Sequence, residues 1–188
     1  MARVVSVESE QNLVTVLLDK GVFWDNWKKS PADLFEEIQK GESFLEEGND
    51  GKIQRVCRVV RIKVFFEDRV LVEFFRDKKG EKNTRLLDLG ASVAEKQIGN
   101  ESSRDCARRA LEEELKVSVL PERFRSIEQS NEVKDSLSYS GLLTDYRYFN
   151  FCITFQQHEF RTFYSEEKMG RTTYFVWIPA KLARLLWE

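Results

Sequence analysis

Between Glu101 and Val117 the chain spaces an acid, an arginine and two adjacent acids: Glu101, seven further residues, Arg109, then Glu113 and Glu114. On a helix, residues three and four apart are neighbours, so Arg109 and Glu113 face the same way and position 110 lies beside both Glu113 and Glu114. Carboxylates crowded together repel unless a hard dication sits among them. Mg2+ suits such a set because it takes oxygen ligands and shares them with substrate phosphates. Here position 110 carries Ala110, whose methyl brings no oxygen. Glu112 sits about 100° around the helix from Glu113 and should point elsewhere. The same residues also describe a solvated amphipathic helix, a common use of charge-rich sequence.

The stretch 95–117 resembles a Nudix box, whose pattern is Gly, five residues, Glu, seven residues, Arg-Glu, an aliphatic, any residue, Glu-Glu, any residue, Gly, aliphatic. Glu101, Arg109, Leu111, Glu113, Glu114 and Val117 match it, whereas Glu95, Ala110 and Lys116 stand where it has Gly, Glu and Gly. The resemblance implies a hydrolase, dependent on Mg2+ or Mn2+, that cleaves the diphosphate of a nucleoside diphosphate derivative. It implies Glu113 and Glu114 as metal ligands, and Glu101 as the acid that braces the helix and can pair with Arg109. It also implies a later loop acid, Glu166 or Glu167, and Glu167 joins Arg109 and Glu101 as a catalytic candidate. Ala110 removes the group that serves the family as a ligand and often as general base. Lys116 replaces a helix-ending glycine, so the turn after it is expected to close differently. Glu95 replaces a glycine whose carbonyl approaches the metal. The alternative is a catalytically degenerate Nudix-fold protein that binds nucleotide, RNA or a protein partner, including as a subunit of a larger assembly.

These residues need elements to position them. Val4–Val7 and Leu13–Leu18 are apolar, β-branched runs that read as a hairpin. Ser30, Pro31 and Asp33 start a helix, with Ser30 as cap, Pro31 at the first position and Asp33 completing a capping box; Gly41 stops it. Gly48–Gly51 reads as a linker, which places an N-terminal extension over 1–50 and a Nudix-like domain over 52–188. Strands are expected over Val56–Phe66, Val70–Phe75, Arg85–Leu89, Tyr146–Phe155 and Thr172–Ile178, with turns at Glu67–Asp68 and Asp77–Lys82. Ser102 and Asp105 start the acidic helix, whose Ala107, Leu111 and Leu115 share a stripe. Pro179 starts a short C-terminal helix, and 129–145 reads as a long polar loop bordering the site. The order of strands, helix, strands, helix makes the fold class α+β or mixed α/β. By resemblance this is a Nudix-like α/β/α sandwich around a mixed sheet.

Arg61 and Lys63 share one face of the first of these strands and are the substrate-binding candidates, on a phosphate cleft or an exposed edge. Lys78, Lys79, Lys82 and Arg85 form a basic cluster that reads as a solvated hairpin tip. Trp24 and Trp27 can stack a base but fit packing better. With 41% apolar and 33% charged residues and a net charge of −2, the chain is ordinary for a globular protein and unlike one built to coat polyanions. Cys57, Cys106 and Cys152 form no CxxC pair, and His158 is the single histidine, so a zinc site or a Ser-His-Asp triad lacks material. No apolar run approaches the ~18 residues of a membrane span, and the first ten residues lack the apolar stretch of a secretory signal. A cytoplasmic location is the expectation.

Overall fold

The computed structural model of the chain describes residues 2–78, 81–84, 91–168 and 170–187. The chain divides into two units that are discontinuous in sequence. One comprises Met1–Val59, Lys96–Glu101 and Gln129–Tyr148, the other Val60–Glu95, Ser102–Glu128 and Phe149–Glu188. The expected strand Arg85–Leu89, and Lys79 and Arg85 of the basic cluster, lie outside the described residues.

The first unit holds β1 (Arg3–Val5), α1 (Glu10–Asp19), α2 (Pro31–Gln39), β2 (Phe44–Glu47) and the start of β3 (Ile53–Phe66). The N-terminal hairpin is not there. Leu13–Leu18 lies in α1, and β1 pairs antiparallel with β2 instead. Val14, Thr15 and Val16 favour a strand locally. Ser9 caps the helix by accepting from Asn12 N at 3.1 Å, and Leu13 and Leu17, one helical turn apart, are both fully buried. Burial of that i, i+4 pair outweighs local propensity. The capping box of α2 forms as expected: Ser30 N donates to Asp33 Oδ2 at 2.7 Å and Asp33 N to Ser30 Oγ at 3.2 Å.

Gly48–Gly51 is a hairpin turn between β2 and β3 rather than a linker. Gly48 N donates to Lys52 O at 2.8 Å, and Glu47 pairs with Ile53. Leu13, Leu34 and Leu45 share a core with Tyr139 and Leu142, so the segment 1–50 is packed against 129–148 within its unit. Trp24 and Trp27 pack on this core. Trp27 meets the Tyr139 ring edge-on at 4.8 Å and donates Nε1–H to Ser140 O at 2.9 Å. Gly41 has φ +71°, and a Cβ there would collide with the Gly99 backbone, which donates to Gly41 O at 3.1 Å.

The second unit holds the rest of β3, then β4 (Arg69–Lys78), β5 (Glu81–Thr84), β6 (Val93–Lys96, of which Lys96 belongs to the first unit), α3 (Ser103–Leu115), β9 (Phe163–Lys168), β10 (Arg171–Pro179) and α4 (Ala180–Trp187). Strands β7 (Arg125–Asp135) and β8 (Leu143–Thr154) have residues in both units. Within the second unit β3–β4, β4–β10 and β10–β9 are antiparallel neighbours. One sheet face carries Ile62, Val64, Leu71 and Phe175 against Ala107 and Leu111 of α3. The other carries Phe65, Val70, Val72 and Val176 against Ala183 of α4. The fold class is therefore the expected mixed α+β, with helix, sheet and helix layered in this unit.

The expected loop 129–145 is shorter. Residues up to Asp135 continue β7, which pairs with β8. Only one position of β7 is shielded from full exposure, and Ile127 and Val133 are exposed, so burial imposed no alternating pattern to read.

Candidate functional site

Helix α3 is positioned at both ends by side chains. Ser102 Oγ accepts from Asp105 N at 3.1 Å, and Cys106, Ala107, Ala110, Leu111 and Leu115 form the inward stripe. The far end corrects one expectation. Lys116 adopts the left-handed conformation (φ 56°, ψ 36°) that a glycine would, and Val117 N donates to Leu111 O at 3.3 Å, so the turn closes in the glycine manner. Lys116 Nζ donates to Glu113 O at 2.7 Å, which helps hold the strained residue.

Position 110 differs in environment from its place in the sequence pattern. Ala110 is 0% exposed and its methyl fills the hydrophobic core with Val60 and Ile62. Arg109 Nη1 donates to Glu113 Oε1 at 3.4 Å, as the i, i+4 spacing requires, and Nη2 contacts Cys106 Sγ at 3.6 Å. Glu112 does point elsewhere. It pairs with Arg108 at 3.1 Å and accepts from Ser118 Oγ at 2.8 Å.

Three strands bring further acids to α3. On β4 a bulge opposite Tyr174 and Phe175 leaves Phe74 out of register. The extra residue places Glu73 and Arg76 on one face, where Arg76 Nη2 donates to Glu73 Oε2 at 2.6 Å. On β9 the two-residue alternation puts Glu166 and Glu167 on opposite faces. Glu166 is buried on the Tyr164 side, whereas Glu167 is exposed. The catalytic candidate Glu167 lies on the opposite face of β9 from Glu166, whose charge raises Glu114. Lys168, two residues on from Glu166, shares its face. Its Nζ lies 3.7 Å from Glu95 Oε2 of β6, 3.8 Å from Glu113 Oε2 and 4.0 Å from Glu166 Oε1.

Glu114 is the electrostatic centre of this group. Burial raises its carboxyl well above the ordinary glutamate range. Glu166, Glu95 and Glu73 push it the same way, and Lys168 opposes them. Among the described residues its carboxyl makes no hydrogen bond or ion pair. Glu73, Glu95, Arg76 and Lys168 were not among the site candidates from sequence. The bulge that aims Glu73 leaves no mark in a linear pattern. Lys168 was legible only through its parity with Glu166.

Glu101 belongs to the first unit, where its Oε1 accepts from Ile98 N at 2.7 Å and its carbonyl from Gln97 Nε2 at 2.9 Å. Arg61 and Lys63 alternate with Ile62 and Val64 on β3 and share a face with Phe65, on the α4 side of the sheet. They therefore do not join the acids, which stand on the α3 side.

As the side chains stand, no group of three or more His, Cys, Asp or Glu among the described residues is gathered to hold a metal ion. The donor chemistry nevertheless fits a hard cation. Every candidate ligand is a carboxylate oxygen, and Glu114 is a carboxyl held among other acids with no counter-charge of its own.

No family model and no curated protein matches the chain. No helix among the described residues is long and apolar enough to cross a membrane. Three solved structures are similar to parts of it, each at low identity. One is the MutT mutator protein from Bacillus halodurans, at 16% identity and TM-score 0.47, over 70% of this chain and 73% of that one. Another is the ORF135 protein of E. coli, at 16% identity and TM-score 0.38, over 70% and 79%. A third is the Ap4A hydrolase of C. elegans, at 9% identity and TM-score 0.40, over 70% and 86%.

Proposed function

We propose that the chain is a divalent-metal-dependent hydrolase of the Nudix type that cleaves the diphosphate linkage of a nucleoside diphosphate derivative. The observation that carries this reading is Glu114. A carboxyl driven toward its protonated form by burial and by Glu166, Glu95 and Glu73, with no partner among the described residues, is poised for a cation. The resemblance of 95–117 to a Nudix box supports the reaction class.

Glu113, Glu114 and Glu95 would hold the ion, Mg2+ or Mn2+. When bound, it supplies charge neutralisation for the diphosphate and an activated water at neutral pH. Arg109 holds Glu113 in place through its 3.4 Å contact. Because Ala110 brings no base, Glu166 takes the proton of the attacking water; it is the strand acid nearest in charge to Glu114. Lys168, close to Glu95, Glu113 and Glu166, offsets negative charge in the metal-free protein.

The test is release of nucleoside monophosphate from a panel of dinucleotides and nucleotide sugars, with and without Mg2+ or Mn2+. Metal-dependent turnover that vanishes in Glu113→Gln, Glu114→Gln is the expected result. Turnover no greater than in that double variant would eliminate the enzyme. It would leave the second reading, a nucleotide-binding or partner-binding protein on the same frame, which the methyl of Ala110 favours.

A further inference from the structure

Lys168 occupies an unusual place for a strand-end lysine. Its ammonium stands within 4.0 Å of three carboxylates from three different elements: Glu95 on β6, Glu113 on α3 and Glu166 on β9. The neighbouring cations are already engaged. Arg76 is held by Glu73, and Arg109 reaches Glu113. The acids therefore draw in around a lysine nitrogen, and no three of them converge on a metal-sized point. Lys168 is one charge shared among these three carboxylates, and it also opposes the raised Glu114 carboxyl nearby.

The lysine also has room to leave. Its side chain is 45% exposed, and the residue lines an open cavity of about 450 Å3 with Glu167, Gly170, Arg171 and Thr172. A flexible four-carbon stem lets the ammonium move from the acids into that cavity without disturbing the core.

We propose that Lys168 is a resident counter-ion of the acidic group, which a divalent cation displaces on binding, so that this residue sets the metal affinity of the site. This rests on the metal-dependent reading above and deepens it. In the resting protein the lysine keeps Glu95, Glu113 and Glu166 together despite their repulsion. On loading, the cation takes over that task and the ammonium withdraws. The result is a lower affinity than the same acids would show without the lysine.

Calorimetric titration with Mn2+ alone tests this on the wild type, Lys168→Gln and Lys168→Arg, with thermal unfolding run alongside. Lys168→Gln is expected to bind Mn2+ about tenfold more tightly, because one competing charge within 4 Å is gone. Lys168→Arg, which keeps the charge, should stay within about twofold of the wild type. Without Mn2+ the Gln variant should unfold at a lower temperature than the wild type, and saturating Mn2+ should erase the difference. Equal affinities in all three proteins would overturn the counter-ion role and leave the metal reading standing. Weaker binding by the Gln variant would overturn it as well, making the lysine a brace for the acids. No Mn2+ uptake by any of them would overturn both.

Discussion

Glu37 in the first unit is buried and Glu114 in the second is half-buried, yet their surroundings drive the two carboxyls in opposite directions. Burial alone would raise Glu37, but Arg55, Lys29 and Lys96 outweigh it and hold the carboxyl at about 2. Lys29 Nζ and Lys96 Nζ lie 2.7 Å and 3.1 Å from it, the buried Arg55 pairs with it, and Tyr139 Oη donates to it at 3.0 Å. Glu114 is surrounded by acids and is raised. The first cluster reads as scaffold, since its carboxylate is met by three cations and a phenol. The second is incomplete, and an incomplete charge balance is where a ligand belongs.

The comparison breaks most visibly at Glu37. Glu37→Gln leaves Arg55 buried without its counter-charge and should cost about 3–5 kcal/mol in urea unfolding at pH 7. A carboxyl lowered on folding stabilises above its unfolded pKa, and that stability is lost as pH falls through the folded one. The gap between wild type and variant should therefore close between the ordinary glutamate value of 4.5 and about 2. A gap that persists at the acid end of that window would mean the ion pairs contribute nothing.

Ala110→Glu places a carboxylate in a fully buried position and should destabilise the metal-free protein by about 2–4 kcal/mol, measured the same way. Turnover above that of the wild type without that penalty would show that position 110 opens onto the acids. Glu166→Gln should lower metal-dependent turnover by about a hundredfold, whereas Glu167→Gln should change it by less than about threefold. Equal losses would undo the parity argument for β9.

The smallest effect has the opposite sign from the first. Glu114→Gln should stabilise the metal-free protein by about 1–2 kcal/mol at pH 8. A carboxyl raised on folding keeps its full stabilising effect only below the unfolded value and loses it as pH rises through the folded one. Wild type and variant should therefore converge near pH 4. A variant less stable than the wild type at pH 8 would put Glu114 in the same class as Glu37.

What the sequence disclosed follows from which forces are local. Ser30 and Ser102 announced their helices because a cap acts within three residues. Phe151 and Ile153 announced β8 because one face is buried, while β7, exposed along its length, had no such pattern. Glu113 and Glu114 were legible from helical spacing. Glu73 was not, because its direction depends on a bulge at Phe74, and Glu166 was passed over for Glu167 because strand parity needs a known register. Leu13–Leu18 misled because β-branched residues favour a strand until Leu13 and Leu17 find a core. Lys116 misled because a lysine accepted the conformation expected of glycine.

The most direct measurement is an NMR pH titration of the Glu114 side-chain carboxyl, first without Mg2+ and then at saturating Mg2+. Without the ion, the expected midpoint lies well above the ordinary glutamate range; with it, the midpoint falls below that range as the cation takes up the uncompensated charge. A Glu114 that titrates in the ordinary range and does not respond to Mg2+ contradicts the claim that this carboxyl awaits a divalent ion.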